Sequence, residues 1–209
     1  MKIRKSGILL FTIGILALSS AVVLWIYNAQ EEHAVIEYSD QKAHDFLTHI
    51  AEAVEENISD ISDTEDMKYI VLDDGESYIG ILGIPALNLV LPVNGTWSYP
   101  ALKKTPCRYS GNTQDDSIVI AAHNYASHFK DIAGLANGEL VTFTEADGNE
   151  IKYQVSKTLT VQPSDVVSVV NSEYDLTLFT CTNNGKARVV VRCTRITDTV
   201  VEALRVTPP

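Results

Sequence analysis

The fold is decided by the stretch Leu176-Thr177-Leu178-Phe179-Thr180-Cys181-Thr182 and by the run Arg188-Val189-Val190-Val191 that follows it. Apolar and β-branched residues dominate both runs, which is typical of β-strands. The sequence Asn183-Asn184-Gly185 between them predicts a tight turn. We therefore expect two neighbouring strands, with Cys181 at the end of the first and Arg188 close to it on the second.

A cysteine in this position suits thiolate chemistry. Only the ionised sulfur is a good nucleophile, and a neighbouring cation favours ionisation. Arg188 supplies a fixed charge and a rigid fork of donors that can hold a carbonyl oxygen or a developing oxyanion. Arg192 and Arg195 lie about 13 Å and about 23 Å further along the strand, too far to reach the same thiol.

A histidine ends a second apolar run. Residues 118–122 have the composition of a buried strand, and His123 follows them at the start of an irregular polar segment. Strand ends that meet loops commonly expose functional side chains, so His123 is the candidate acid–base residue. His128, five residues later in the same loop, is the alternative.

The pattern Thr177-Leu178-x-Thr180-Cys181, with an earlier strand-end histidine and a later arginine, resembles the sortases, the cysteine transpeptidases of Gram-positive cell surfaces. One departure is Ala122, because a glycine commonly precedes the histidine of that family. The resemblance extends over roughly Tyr78 to Ile196. It implies a closed eight-stranded β-barrel.

The resemblance also implies an activity. Cys181 would attack the peptide bond after the threonine of a C-terminal sorting motif on a secreted protein, and His123 would protonate the leaving amine. Arg188 would stabilise the oxyanion or position the peptide. An amine of peptidoglycan, or of a pilin lysine, would then resolve the thioacyl enzyme.

Other functions stay open at this point. They are a pilin-polymerising sortase, a cysteine endopeptidase that hydrolyses the thioester, and a non-catalytic surface β-barrel module. The sequence before Tyr78 has no obvious lid with an aspartate–aromatic anchor, which disfavours the pilin-polymerising type.

The segment from Tyr69 onward is predicted to be mostly β. Alternating residues bounded by turn signals predict strands over 78–84, 87–93, 117–122, 140–143, 150–160, 177–181 and 188–196. Short helices are expected over 99–104 and 129–135. Several short strands at this spacing indicate a barrel or a sandwich.

The N-terminal region has the composition of a membrane anchor. Gly7 to Tyr27 is an almost unbroken apolar run, long enough to cross a hydrocarbon core of about 30 Å as a helix. The basic residues before it predict a cytoplasmic N-terminus, residues 1–5, and a single-pass signal anchor, residues 6–30, with the rest of the chain extracellular at the cell membrane. A cleaved signal peptide is the alternative.

An acidic segment, residues 31–68, is expected to join the anchor to a catalytic domain, residues 69–209. Helical spacing of apolar residues predicts a helix over about 39–57, whose stripe could pack on the domain or only shorten the stalk. Residues 59–66 read as a linker. The formal net charge of -11 disfavours nucleic acid as a partner.

The remaining cysteines are Cys107 and Cys193. An extracellular location permits a disulfide between them, although Cys193 continues an apolar strand and suits a buried thiol. No cysteine–histidine spacing indicates a zinc site. We expect no cofactor or metal.

Overall fold

The computed structural model describes residues 5–56, 62–63 and 67–197. Its helices and strands are α1 (Lys5–Glu56), β1 (Ser62–Asp63), β2 (Lys68–Val71), β3 (Ser77–Ile84), β4 (Leu89–Asn94), α2 (Tyr99–Leu102), β5 (Cys107–Ser110), β6 (Ile118–Ala121), β7 (Leu140–Glu145), β8 (Glu150–Val161), α3 (Val166–Val170), β9 (Leu176–Cys181) and β10 (Arg188–Arg195). Short 3₁₀ turns lie at Pro85–Leu87 and Ile132–Gly134.

Eight strands form a closed barrel. Their order is β3-β4-β5-β6-β9-β10-β8-β7, and β7 pairs with β3 to complete the ring. The β4–β5 and β6–β9 pairs are parallel, and the other pairs are antiparallel. β2 pairs with the start of β3, and β1 pairs with β2. The predicted mostly-β, eight-stranded barrel is confirmed.

Close contact between β3 and β7 depends on a glycine. A Cβ atom placed on Gly80 would lie 2.5 Å from the ring of Phe143 and from the carbonyl oxygen of Thr144. The absence of a side chain therefore lets the two strands meet where the barrel closes. Inside the ring, apolar side chains from most of the strands form one core, including Leu82, Val93, Ile120, Phe143, Tyr153, Leu178 and Val191.

The strand boundaries follow the sequence closely. Each of the seven predicted strands is found, with its ends within two residues of the expected positions. β5 was not predicted, because it has four residues between Pro106 and Gly111 and its register shifts between Arg108 and Ser110. β2, which was also not predicted, has four residues as well. Of the predicted helices, α2 covers part of 99–104, and a single 3₁₀ turn lies within 129–135.

α1 is one continuous helix of 52 residues. Its first part, through Tyr27, exposes a run of large apolar side chains, with Trp25 72 % exposed. Among the described residues it is the one helix long and apolar enough to cross a membrane. The predicted helix over 39–57 is the C-terminal part of this same element.

The C-terminal part of α1 packs on the barrel. Ala43 and Phe46 are buried against a small apolar cluster with Ile70, Tyr78 and Ile81. The apolar stripe of this segment therefore covers the domain. Part of the predicted linker, and residues 198–209, lie outside the described residues, while 62–63 form β1.

Candidate active site

The strand pairing brings the three predicted residues to one end of the barrel. β6 and β9 are parallel neighbours, and Ala121 pairs with Phe179. His123 and Cys181 each follow their paired residue by two positions, so both reach the same edge. Arg188 begins β10 directly opposite Cys181.

These side chains share a cavity of about 210 Å³. His123, Cys181 and Arg188 all contribute to its lining, and the segment before α3 adds Gln162, Pro163 and Asp165. An aromatic wall completes it, formed by Trp97, Tyr99, Tyr109 and Phe179. The Tyr109 and Phe179 rings meet edge to face, with their centroids 5.2 Å apart. The cavity therefore joins an apolar surface to a polar, chemically reactive end.

Cys181 is the accessible thiol of the three. All three cysteines are free, but Cys107 and Cys193 are fully buried while Cys181 is half-buried. Burial raises the pKa of both Cys107 and Cys193 to about 12, so these two thiols stay protonated at neutral pH. No disulfide joins them, and Cys181 alone combines exposure with a place on the cavity.

The imidazole of His123 is half-buried in the cavity wall. Its Nε2 is buried and has no hydrogen-bond partner among the described residues. Burial lowers the pKa of His123, the charge of Lys103 lowers it further, and Glu31 opposes both effects. The neutral form is therefore favoured, and a neutral imidazole can accept a proton.

Tyr125 stacks on His123, with ring centroids 4.9 Å apart and an interplanar angle of 28°. The ring of the alternative residue, His128, also lies near Tyr125, with their centroids 5.7 Å apart. It is fully buried and does not line the cavity. Burial, and then the neighbouring His123, lowers the pKa of His128 to about 4. Of the two histidines, the structure places only His123 at the cavity.

Arg188 points its guanidinium along the turn that precedes β10. Its Nη1 donates to the carbonyl oxygens of Gly185, at 3.3 Å, and Ala187, at 3.1 Å. These are partly exposed bonds at the rim of the cavity, so the fork can exchange them for a substrate oxygen.

The competing arginines have structural roles. Arg192 is 5 % exposed, and it donates to the carbonyl oxygens of Val169, at 2.8 Å, and Ser168, and to Thr177 Oγ1 at 2.5 Å. These bonds fasten α3 to β9. Arg195 pairs with Asp116 at 2.9 Å. Neither arginine lines the cavity.

Two side-chain hydrogen bonds hold the strand ends together. The Thr180 hydroxyl donates to the Ala122 carbonyl oxygen at 2.8 Å, and Asn124 Nδ2 donates to Asn183 Oδ1 at 2.7 Å. The second bond links the loop after His123 to the turn after Cys181. Sequence reasoning missed this link and the stacking of Tyr125, although their position next to His123 is a local signal.

Comparisons with known proteins agree on one family. The family model of the Sortase domain matches residues 82–196. Sortase C1 from Streptococcus agalactiae has a similar structure, with a TM-score of 0.53, 26 % identity, and coverage of 61 % of this chain and 72 % of that chain. A search of curated proteins gave no match.

Two further structures cover more of the chain. Sortase C-3 from Streptococcus pneumoniae has a TM-score of 0.53 and 20 % identity, and the match covers 85 % of this chain and 98 % of that chain. Sortase C from Clostridium perfringens, whose structure includes the C-terminal cell wall sorting motif, has a TM-score of 0.52 and 20 % identity. That match covers 84 % of this chain and 99 % of the other.

Proposed function

Because the chain belongs to the sortase family, we propose that it is a membrane-anchored cysteine transpeptidase. It cleaves a C-terminal sorting motif of secreted proteins and joins the acyl fragment to an amine of the cell wall. The observation that carries this proposal is the meeting of Cys181, His123 and Arg188 on one cavity at one end of the barrel.

The reaction begins when the neutral imidazole of His123 accepts the proton of the Cys181 thiol, and the resulting thiolate attacks the scissile carbonyl carbon. The carbonyl oxygen becomes an oxyanion, and the Arg188 guanidinium stabilises it with a fixed charge and two-pronged donation. The C–N bond then breaks, and His123 delivers a proton to the leaving amine. A thioester on Cys181 remains.

An incoming amine completes the transfer. It attacks the thioester while His123 accepts the proton that the amine loses, and the Cys181 thiolate leaves. Burial lowers the pKa of His123, which supports this step, because a neutral imidazole is a competent base near neutral pH. The products are a new amide bond and the regenerated enzyme.

The cavity supports a peptide as the substrate. Its aromatic wall can contact apolar side chains of an extended segment, while the reactive end receives the scissile carbonyl. The Clostridium perfringens neighbour, solved with a C-terminal cell wall sorting motif, supports the same substrate class.

α1 supports the location. Its exposed apolar run through Tyr27 has no protein surface to cover it among the described residues, and lipid is the natural environment for such a run. Lys2, Arg4 and Lys5 precede it, so the N-terminus lies in the cytoplasm and the barrel outside the cell.

A peptide library tests the proposal. The full chain, in detergent micelles, is incubated with peptides that carry varied sorting motifs, with and without amines that mimic peptidoglycan stems or a lysine side chain. We expect a thioacyl adduct on Cys181 and an amide product that requires the amine. Release of acid alone, at the same rate with and without amine, would indicate an endopeptidase. No adduct on Cys181 with any peptide would overturn the proposal, and Cys181→Ala is the blank.

A further inference from the structure

The loop that carries His123 is held from several directions. Its backbone closes on itself, since the Phe129 N–H donates to the His123 carbonyl oxygen at 3.2 Å and the His128 N–H donates to that of Tyr125 at 3.0 Å. Asn124 ties it to the turn after Cys181. These contacts all lie within the barrel domain.

A further contact comes from the membrane-proximal part of α1. Oε1 of Glu32 accepts a hydrogen bond from the Ala126 N–H at 3.1 Å, although the two residues are 94 positions apart. Ala126 directly follows Tyr125, whose ring stacks on His123 at 4.9 Å. Glu32 is thus connected to the His123 imidazole through the Ala126 amide and the neighbouring Tyr125 ring.

The register of α1 makes this contact a consequence of how the helix docks. Glu32 is half-buried, whereas its neighbours Glu31 and His33 are exposed. It lies seven residues before Ser39 and fourteen before Phe46, both of which are buried on the face that meets the barrel. Residues separated by seven share a helix face, so burial of Phe46 also turns Glu32 toward the loop.

Polar contacts fix the same docking. Tyr38 donates to Asp74, and Lys42 forms an ion pair with Asp73 in the turn between β2 and β3. From the turn that follows α2, the ammonium of Lys104 lies over the Tyr38 ring, 5.1 Å from its centroid. The segment of α1 between Glu32 and Phe46 is therefore fastened on both sides, and its rotation about its own axis is restricted.

We propose that Glu32 is a positioning residue of the active site, which acts by holding the Ala126 amide so that Tyr125 stays stacked on His123. The proposal rests on the proposed function, in which His123 carries the proton. Its consequence is that the active site is complete only when the anchor helix is docked. A domain cut at residue 67 would keep Cys181, His123 and Arg188 but would lose this support.

Three variants of the full chain in detergent micelles separate the hydrogen bond from other effects. Glu32→Ala removes the acceptor, Glu32→Gln keeps an acceptor oxygen without the charge, and Glu37→Ala removes an exposed carboxylate further along the same helix. The substrate is the peptide that the wild-type enzyme processes in the library experiment. Thermal unfolding of each variant checks that the barrel remains folded.

We expect Glu32→Ala to lower kcat by about tenfold, because small displacements of a catalytic group cost up to about a hundredfold in rate. KM should stay within about twofold of the wild-type value, since Glu32 is not in the cavity lining. Glu32→Gln should retain most of the turnover, and Glu37→Ala all of it. Wild-type kcat in Glu32→Ala, or an equal loss in Glu32→Gln, would overturn the proposal.

A measurement without turnover keeps this test independent of the proposed function. In the full chain labelled with ¹³C-histidine, the ring-current shift from Tyr125 marks the Hε1 resonance of His123, which a His123→Gln spectrum assigns. We expect that resonance to move toward its unstacked position in Glu32→Ala and to stay in Glu32→Gln. An unchanged resonance in Glu32→Ala would refute the positioning role even if no peptide were ever cleaved.

Discussion

Thr180 and Ala122 are joined by a hydrogen bond of 2.8 Å from the threonine hydroxyl to the alanine carbonyl oxygen, and both residues are buried. Each precedes a residue of the candidate site, Cys181 and His123 respectively. The parallel strands that carry Cys181 and His123 are thus hydrogen-bonded to each other at the residues immediately before these two.

Thr180→Val should loosen this junction. The change keeps the shape of the side chain but removes the hydroxyl, so the buried Ala122 carbonyl oxygen loses this hydrogen bond. We expect the barrel to lose about 1–2 kcal/mol of unfolding free energy and turnover to fall, as read from denaturant unfolding and peptide cleavage. Thr160→Val, on an exposed position of β8, is the matched control and should change neither. Equal behaviour of the two variants would mean that the bond contributes nothing.

Alkylation should distinguish the three thiols. Iodoacetamide applied to the native chain should modify Cys181 first, because Cys107 and Cys193 are fully buried and burial raises the pKa of each to about 12. Mass spectrometry of the digested protein measures the order. Cys181→Ala should abolish peptide cleavage, while Cys107→Ala and Cys193→Ala should lower stability and leave measurable activity. Early labelling of Cys193 would contradict this assignment.

Arg188 and Arg192 should fail in different ways. Arg188→Lys keeps the charge but loses the fork, and we expect turnover to fall on the order of 10² to 10³ with little change in stability. Arg192→Lys cannot make all three bonds of the largely buried guanidinium, so the barrel should lose about 2–4 kcal/mol. Cleavage rates and denaturant unfolding, measured on both variants, give the comparison. Undiminished turnover in Arg188→Lys would move the oxyanion role to backbone donors.

His128 should make stability depend on pH. Its pKa is lowered from 6.5 to about 4 by burial. Between these two values the histidine is mostly protonated in the unfolded chain and mostly neutral in the folded chain. The stability is fully present above about pH 6.5 and is lost as pH falls toward about 4, by up to about 3 kcal/mol. His123, whose pKa is also lowered, adds in the same direction.

Unfolding curves at several pH values measure this loss. His128→Gln removes the titrating group and should flatten the curve between those limits, while His44→Gln, at an exposed position of α1, should leave it as steep as before. A wild-type curve already flat across the window would show that His128 is solvated in solution.

The sequence predicted the parts of this molecule that depend on local pattern. The hairpin that sets Cys181 opposite Arg188 follows from a short turn between two β-branched runs, and the strand before His123 follows from its apolar composition. The strand β5 escaped notice because four residues beside a proline carry little periodic signal. The contact of Glu32 with Ala126 could not be predicted, since the spacing within α1 sets only which face Glu32 shares and not where that face docks on the barrel.

The unbroken length of α1 changes how this enzyme would meet its substrates. In the proposed topology Glu32 stands five residues beyond Tyr27, about 7.5 Å along a helix, which is close to the outer boundary of the lipid headgroups. A domain on a flexible linker samples a broad volume, but a domain joined to the membrane by a continuous helix stays at a nearly fixed distance from the bilayer. The enzyme then meets its substrates by lateral diffusion in the plane of the membrane, among chains still held at the bilayer surface. Proteins already released into the cell wall lie out of its reach.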